Sequence, residues 1–109
     1  MTETYPRAVA PTNPIVSVAC VTQDRPRDVA VLIDGLRSQT DPVASLCLVD
    51  AGRTALDEAA LREQIGGAFE LHYRRSVANL GGAGGFSLAI LTALASGAEQ
   101  VWLMDDDAH

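Results

Sequence analysis

The chain contains no lysine: its positive charges are eight arginines, set against fourteen carboxylates, and the net charge is −6. The basic surface of a general nucleic-acid binder is therefore absent, and nucleic acid is not an expected partner. In so acidic a chain an anionic ligand needs a metal ion or local hydrogen-bond donors. Recognition of phosphates by a broad basic patch is excluded.

Long apolar runs and cysteines are also scarce. No apolar stretch approaches the roughly 20 residues of a membrane span, and residues 1–14 are polar and lack the apolar core of a signal peptide. We therefore expect a cytoplasmic protein whose first 14 residues form a disordered or extended segment. Cys20 and Cys47 lie in apolar, β-branched runs, which predicts two buried, reduced thiols, with a structural disulfide as the alternative. A chain of 109 residues suffices for one small domain.

What is present is an alternation of β-rich and helical segments. The order is β-α-β-α-β-α-β, with strands at 15–21, 45–49, 69–73 and 100–104 and helices at about 26–38, 54–65 and 86–96. Such alternation predicts an α/β fold with a Rossmann-like parallel sheet and helices on both faces.

Local signals set the expected boundaries. Thr54 with Asp57 three residues later resembles a capping box that opens the second helix, and Gly66 supplies a stop. The third strand alternates apolar and polar residues, as at a sheet edge, and His72 on its polar face is expected at the surface. Residues 76–85 are expected to form a loop before the third helix.

Three consecutive aspartates follow the fourth strand. Because side chains alternate along a strand, Asp105 and Asp107 are expected on one face and Asp106 on the other. Carboxylate oxygens suit Mg²⁺ or Mn²⁺, and such ions often bind through one or two carboxylates plus substrate phosphates. The pair Asp105 and Asp107 is thus a candidate metal site, and a solvated acidic turn is the alternative.

A glycine-rich segment precedes the third helix. Residues 79–86 read NLGGAGGF, and the four glycines let the backbone approach another group closely. Free N–H groups at the N-terminus of a helix can receive a phosphate, and Asn79 can add amide donors. The alternative is a flexible turn or tight packing of the helix on the sheet.

These features converge on one edge of the predicted sheet. Ligands of open parallel sheets bind outside the carboxyl ends of the strands, where Thr22, Asp50, the glycines and the aspartates are expected. A nucleotide with a metal-bridged diphosphate would use all of them. A P-loop is excluded because no lysine follows the glycines. A Rossmann dinucleotide site remains the second interpretation, since Gly82 and Gly84 open a helix and Asp105 ends the next strand, although the third glycine is missing.

The same residues resemble a known family. Asp50, NLGGAGGF at 79–86 and WLMDDDA at 102–108 are similar to the donor half of inverting nucleotide-sugar glycosyltransferases of the GT-A fold and family 2 type, above all to bacterial galactofuranosyltransferases. The resemblance covers residues 15–109. It implies UDP-galactofuranose as donor, Mn²⁺ or Mg²⁺ as cofactor, and a cell-envelope glycan or a lipid-linked acceptor. The full-length enzyme would act at the inner face of the cell membrane, as a peripheral protein.

The resemblance also implies roles for individual residues. Asp105 and Asp107 would hold the metal ion against the diphosphate, with Asp105 also near the ribose, and Asp50 would lie near the uracil. The nucleotide-sugar would further be bordered by Thr22, Asp24, Arg25, Asn79, Gly81 and Gly82. The metal ion would stabilise the charge of the departing UDP while an acceptor hydroxyl attacks in line, which inverts the anomeric centre.

Part of the family's pattern has no counterpart in this chain. An acceptor region, a carboxylate general base and a distant metal-binding histidine are expected beyond Asp107, and His109 is too close to the aspartates to be that histidine. We therefore assign no catalytic residue and expect residues 15–109 to be a truncated donor-binding part that transfers no sugar alone. A fragment of a dinucleotide-binding oxidoreductase and a non-catalytic nucleotide- or metal-binding module are the alternatives.

Overall fold

The computed structural model describes residues 14–76 and 81–107. In chain order its elements are β1 (Val16–Thr22), α1 (Pro26–Arg37), β2 (Ser45–Asp50), α2 (Glu58–Ile65), β3 (Glu70–Arg75), α3 (Gly81–Ala95) and β4 (Gln100–Asp105). The four strands are parallel and form one sheet in the order β3-β2-β1-β4. The predicted alternation, the parallel sheet and the α/β class are confirmed.

Helices cover both faces of this sheet, as predicted. On one face α1 and α2 pack against side chains such as Val18 of β1 and Leu48 of β2. On the other face Ala89 of α3 packs against Ala19 and Val49. The central strands β1 and β2 are buried on both sides, which explains why their sequences are almost continuously apolar.

Both cysteines belong to this core. Cys20 and Cys47 are buried and free, so the prediction of two reduced thiols is confirmed. Burial, helped by the negative charges of the three aspartates after β4, raises the pKa of Cys20 to about 12. Burial also raises the pKa of Cys47. Both side chains therefore stay protonated at neutral pH and act as small apolar groups.

The start of α2 differs from the prediction. The helix begins at Glu58 and is capped by Asp57, whose carboxylate accepts a hydrogen bond from the Ala60 N–H at 3.1 Å. Thr54 therefore opens no capping box, and the predicted start was wrong, because the residue read as the third helical position is itself the cap. The predicted stop is confirmed, since Gly66 ends the helix with φ of 62°, a left-handed conformation suited to glycine.

The two edge strands differ in how much they are covered. β3 is an edge strand, as its alternating pattern predicted, and it buries Leu71 while the His72 side chain is 31% exposed beside Glu70. At the opposite edge, β4 leaves Trp102 and Leu103 exposed. The sheet is therefore better covered at its centre than along β4.

The third helix begins earlier than the sequence suggested. Its first residue is Gly81, so the predicted loop at 76–85 is too long and the glycines lie in the first turns of α3. At Gly85 a Cβ atom would lie 3.0 Å from Cγ1 of Val21, so the missing side chain lets the helix approach β1 closely. Tight packing of helix on sheet, the alternative in the sequence analysis, thus applies to Gly85. Within the two described ranges, no helix combines the length and apolarity required to cross a membrane.

Candidate functional site

The carboxyl edge of the sheet brings together residues that are distant in the sequence. Thr22 at the end of β1 pairs with Asp50 at the end of β2, and Val21 pairs with Asp105 at the end of β4. α3 also begins at this edge, because it connects the end of β3 with the start of β4. Three predicted site residues, Thr22, Asp50 and Asp105, therefore end adjacent strands.

The loop from β1 to α1 lies over this edge and is held on both sides. Asp24 has φ of 55°, in the left-handed region that non-glycine residues rarely adopt. Its Oδ1 accepts a hydrogen bond from the Thr54 N–H at 3.2 Å, which ties the loop to the segment after β2. On the other side Thr22 and Arg25 both contact Asp106. Contacts with two strand ends thus retain a backbone conformation that is unfavourable by itself.

Gly52 allows the two loops to touch. A Cβ atom at this position would lie 2.5 Å from Oδ1 and 2.8 Å from the backbone nitrogen of Asp24. We expect Gly52→Ala to displace the loop at Asp24 and to lower the free energy of unfolding by about 1–3 kcal/mol, measured by urea denaturation. The control is Gly35→Ala inside α1, where a Cβ atom meets nothing within 4 Å. That control change should raise the free energy of unfolding by about 0.5–1 kcal/mol. If Gly52→Ala is instead as stable as the unaltered chain, the two loops can move apart without cost.

Asp50 is completely buried, and its carboxylate is occupied by groups of the protein. Oδ1 accepts a hydrogen bond from the Gly52 N–H at 2.9 Å. Oδ2 accepts from the Leu56 N–H at 2.9 Å and from the Tyr73 hydroxyl at 2.6 Å. Nη1 of Arg75 lies 3.3 Å from the same oxygen. The carboxylate therefore fixes the course of the segment between β2 and α2.

The protonation states in this cluster follow from its contacts. Burial by itself raises the pKa of Asp50, but hydrogen bonds from Tyr73, Leu56 and Gly52 and the charge of Arg75 outweigh burial and hold that pKa below its ordinary value. Burial and the bond to Asp50 raise the pKa of Tyr73 to about 12. A neutral phenol thus donates to a charged carboxylate. Sequence analysis gave Tyr73 and Arg75 no role, because the pairing of β2 with β3, which places Arg75 beside Asp50, was not predicted.

The three aspartates after β4 have different environments. β4 ends at Asp105, and Asp106 and Asp107 form a turn, so strand alternation does not govern their side chains. Asp105 and Asp107 are exposed, whereas Asp106 is only 6% exposed. Oδ2 of Asp106 accepts a hydrogen bond from the Thr22 hydroxyl at 2.9 Å, and Oδ1 accepts one from Nη1 of Arg25 at 3.3 Å. Asp106, which sequence analysis left without a role, is therefore in contact with two predicted site residues.

The exposed pair of aspartates suits a divalent ion only with help from a ligand. Among residues 14–76 and 81–107, no group of three or more histidine, cysteine, aspartate or glutamate side chains is arranged to hold a metal ion. Two exposed carboxylates at one end of a strand nevertheless fit the donor set of Mg²⁺ or Mn²⁺, which commonly complete their coordination with water and substrate phosphates. An ion at Asp105 and Asp107 would thus depend on a bound phosphate.

Two pockets open beside the loop between β1 and α1. The first has a volume of about 410 Å³ and is lined by Val21, Thr22, Gln23, Asp24, Arg25, Phe86 and Asp106. The second has a volume of about 420 Å³ and is lined by Asp24, Pro26, Arg53, Thr54, Ala55, Leu56 and Asp57. Both are of the size of small-molecule sites. They share Asp24, so one elongated ligand could occupy both.

One residue of the predicted site, Asn79, lies outside the described residues, as does His109, to which the sequence analysis assigned no role. Gly81 and Gly82 are the first two residues of α3. Their N–H groups are among those that an α-helix leaves without a partner of its own at this end. The start of α3 thus offers backbone donors at the same edge of the sheet.

Comparison with known proteins finds similarity to glycosyltransferases. Galactofuranosyltransferase GlfT1 of Mycobacterium tuberculosis is 42% identical over 95 residues, which is 86% of this chain and 31% of that protein. Galactofuranosyltransferase GlfT1 of Mycolicibacterium smegmatis is 38% identical over 96 residues, which is 87% of this chain and 30% of that protein. The chain thus spans less than a third of the length of these curated relatives. No protein-family model matches the chain.

Proposed function

We propose that residues 15–109 form the donor-binding part of a GT-A type glycosyltransferase that binds UDP-galactofuranose together with Mn²⁺ or Mg²⁺. The observation that carries this proposal is the 42% identity with a curated galactofuranosyltransferase over 86% of the chain. The fold supports it with a parallel sheet whose carboxyl edge gathers Thr22, Asp50 and Asp105. Ligands of such sheets bind at this edge.

The diphosphate has complementary groups in this proposal. Asp105 and Asp107, both exposed, would hold the divalent ion. When bound, that ion supplies positive charge next to the departing UDP. Arg25, whose side chain is 55% exposed, lies on the first pocket and can donate to a diphosphate oxygen. The first N–H groups of α3, at Gly81 and Gly82, add donors of the kind that receive phosphates at helix ends.

The nucleoside is assigned to the second pocket. Its walls are the loop at Asp24 and the segment from Arg53 to Asp57. Asp50 lies beneath this segment and holds it through the N–H groups of Gly52 and Leu56. The proposed place of Asp50 near the uracil therefore requires no direct contact, because its carboxylate can act through the backbone that it positions.

The rest of the reaction is proposed for the whole protein. The acceptor is a cell-envelope glycan or a lipid-linked sugar, and attack by its hydroxyl inverts the anomeric centre. A general base for that hydroxyl is not assigned to any residue of this chain. Peripheral association with the inner face of the cell membrane would bring the enzyme to a lipid-linked acceptor.

Calorimetric titration separates this function from its alternatives. We expect UDP to bind in the presence of Mn²⁺, to bind far more weakly without it, and NAD to show no binding in metal-free buffer. Binding of NAD without metal, with none of UDP, would indicate a dinucleotide-binding oxidoreductase. Equal affinity for UDP with and without Mn²⁺ would contradict the metal site and favour a simple nucleotide-binding module. Competition between UDP-galactofuranose and UDP-galactopyranose tests the choice of sugar.

A further inference from the structure

The middle aspartate after β4 differs from both of its neighbours. Asp106 is 6% exposed, although it stands between two exposed carboxylates. Burial of a charged group is costly unless hydrogen bonds and an opposite charge offset it. Here the Thr22 hydroxyl donates to Oδ2 at 2.9 Å and the Arg25 guanidinium donates to Oδ1 at 3.3 Å. Each oxygen of Asp106 thus has a partner on the segment from β1 to α1.

These contacts join two chain segments that form the first pocket. Thr22 is the last residue of β1, and Arg25 directly precedes α1. Asp106 follows β4, which lies beside β1 in the sheet. The side chain of Asp106 is therefore a direct link between the turn after β4 and the loop that carries Arg25.

Arg25 is the group through which this link can affect an anionic ligand. Among the described residues that line the first pocket, Arg25 is the only one with a positive charge. A guanidinium has five N–H donors, and the contact with Asp106 involves Nη1. The Arg25 side chain remains 55% exposed, so other donors are accessible from the pocket. A fixed guanidinium loses less conformational entropy when it binds a phosphate than a freely moving one does.

We propose that Asp106 is a positioning residue for the diphosphate of the donor: it holds the Arg25 guanidinium at the first pocket and is not a ligand of the metal ion. This inference rests on the proposed function and assigns its site a further residue. The three consecutive carboxylates then have two different roles. Asp105 and Asp107 would hold the metal ion, and Asp106 would orient the Arg25 guanidinium toward the same diphosphate.

A calorimetric double-mutant cycle tests the inference, with UDP as the probe and Mn²⁺ at saturation. We expect Asp106→Asn to weaken UDP binding about fivefold to tenfold, and to have less than about a twofold effect when Arg25 is already replaced by alanine. The direction is informative, because removal of a negative charge near an anion would by itself strengthen binding. Asp41→Asn, at an exposed carboxylate in the loop before β2, is the matched charge control and should leave the affinity unchanged.

A Mn²⁺ series separates positioning from metal ligation. If Asp106 only positions Arg25, the Mn²⁺ concentration for half-maximal UDP binding stays the same in Asp106→Asn, and additional Mn²⁺ does not restore the lost affinity. A shift of that concentration to higher values would make Asp106 a metal ligand and overturn the inference. The same holds if Asp106→Asn binds UDP as tightly as the unaltered chain, or if its loss persists in the Arg25→Ala background.

A second variant covers the case in which Asp106→Asn does not fold. Thr22→Val removes the hydroxyl donor to Asp106 but keeps the charge of Asp106 and its contact with Arg25. We expect a smaller loss of UDP affinity, about twofold to fivefold, with thermal unfolding still cooperative. Full affinity in a folded Thr22→Val chain would overturn the link through Asp106. If the unaltered chain fails to bind UDP with Mn²⁺, the proposed function fails and the inference fails with it.

Discussion

Replacement of Asp50 by alanine should lower the free energy of unfolding by about 3–5 kcal/mol, the usual cost of removing one partner from a buried charged network. The change leaves the buried N–H of Gly52 without its acceptor and removes the partner of the Tyr73 hydroxyl. It also takes away the carboxylate that lies 3.3 Å from Arg75. Because a single small domain has roughly 5–15 kcal/mol in total, this loss approaches complete unfolding. Urea denaturation monitored by circular dichroism measures it.

Two graded controls show whether the size of the effect comes from the network. Tyr73→Phe removes one donor and keeps the carboxylate, so about 1 kcal/mol should be lost. Asp57→Ala removes an exposed helix cap with one bond to Ala60, and about 1 kcal/mol should again be lost. A loss at Asp50 no larger than at Asp57 would contradict the role of Asp50 as the centre of this buried hydrogen-bond network.

The pH dependence of the free energy of unfolding is a second test of the Asp50 carboxylate. The folded-state pKa of Asp50 lies below its value in the unfolded chain. Its contribution to stability is therefore fully present above the unfolded pKa, near 4, and is lost as the pH falls through the folded pKa. We expect the stability difference between the unaltered chain and Asp50→Asn to be constant from pH 7 to about 5 and to shrink below about 4. A difference that stays constant down to pH 3 would mean that the bonds to Asp50 do not depend on its charge.

Sequence patterns predicted the sheet well because its central strands are buried on both faces. Residues 16–22 and 45–50 are almost all buried, and apolar, β-branched runs of this length leave few other possibilities. The edge position of β3 was also predictable, from the alternation of apolar and polar residues in its sequence, but in the structure only Leu71 is buried and the exposure of the other side chains does not alternate. The hydrophobic pattern of a sequence reflects which side chains are buried, so strands with many buried side chains are the easiest to predict.

Helix starts were less predictable because they depend on single hydrogen bonds. Thr54 and Asp57 are both good capping residues, and the sequence does not show that the Thr54 N–H donates to Asp24, thirty positions earlier in the chain. The glycines before the predicted third helix were expected to lie in a loop, but α3 already begins at Gly81. Glycine has a low intrinsic helix propensity, yet at Gly85 the close approach to Val21 gives it a packing role.

The candidate site was predictable in position but not in its contacts. Topology places the ends of parallel strands at one edge, so Thr22, Asp50 and Asp105 could be grouped from the order of elements alone. Strand alternation set Asp106 apart from Asp105 and Asp107, and their exposures do differ, but it could not show that Thr22 and Arg25 are the partners of Asp106. Nor could it reveal that Asp50 would accept hydrogen bonds from three donors on two different segments. Side-chain hydrogen bonds between distant segments leave no periodic trace in a sequence.

The largest expected effect on UDP binding comes from removing a proposed ligand of the metal ion. Asp107→Ala should reduce UDP affinity in Mn²⁺ to its metal-free level, a loss of about a hundredfold, since even indirect partners of metal ligands contribute 10–100-fold to metal affinity. Asp107 is exposed and follows the buried Asp106, so its loss should leave the fold intact.

Removing one of the exposed carboxylates also removes negative charge, and without a metal ion this would favour an anionic ligand. The predicted loss therefore has the opposite sign to the direct charge effect, as expected for a carboxylate that holds a metal ion against the ligand. Asp41→Ala, which removes the same charge at a distant exposed position, should bind UDP and Mn²⁺ normally. Unchanged Mn²⁺-dependent affinity in Asp107→Ala would refute its assignment as a ligand.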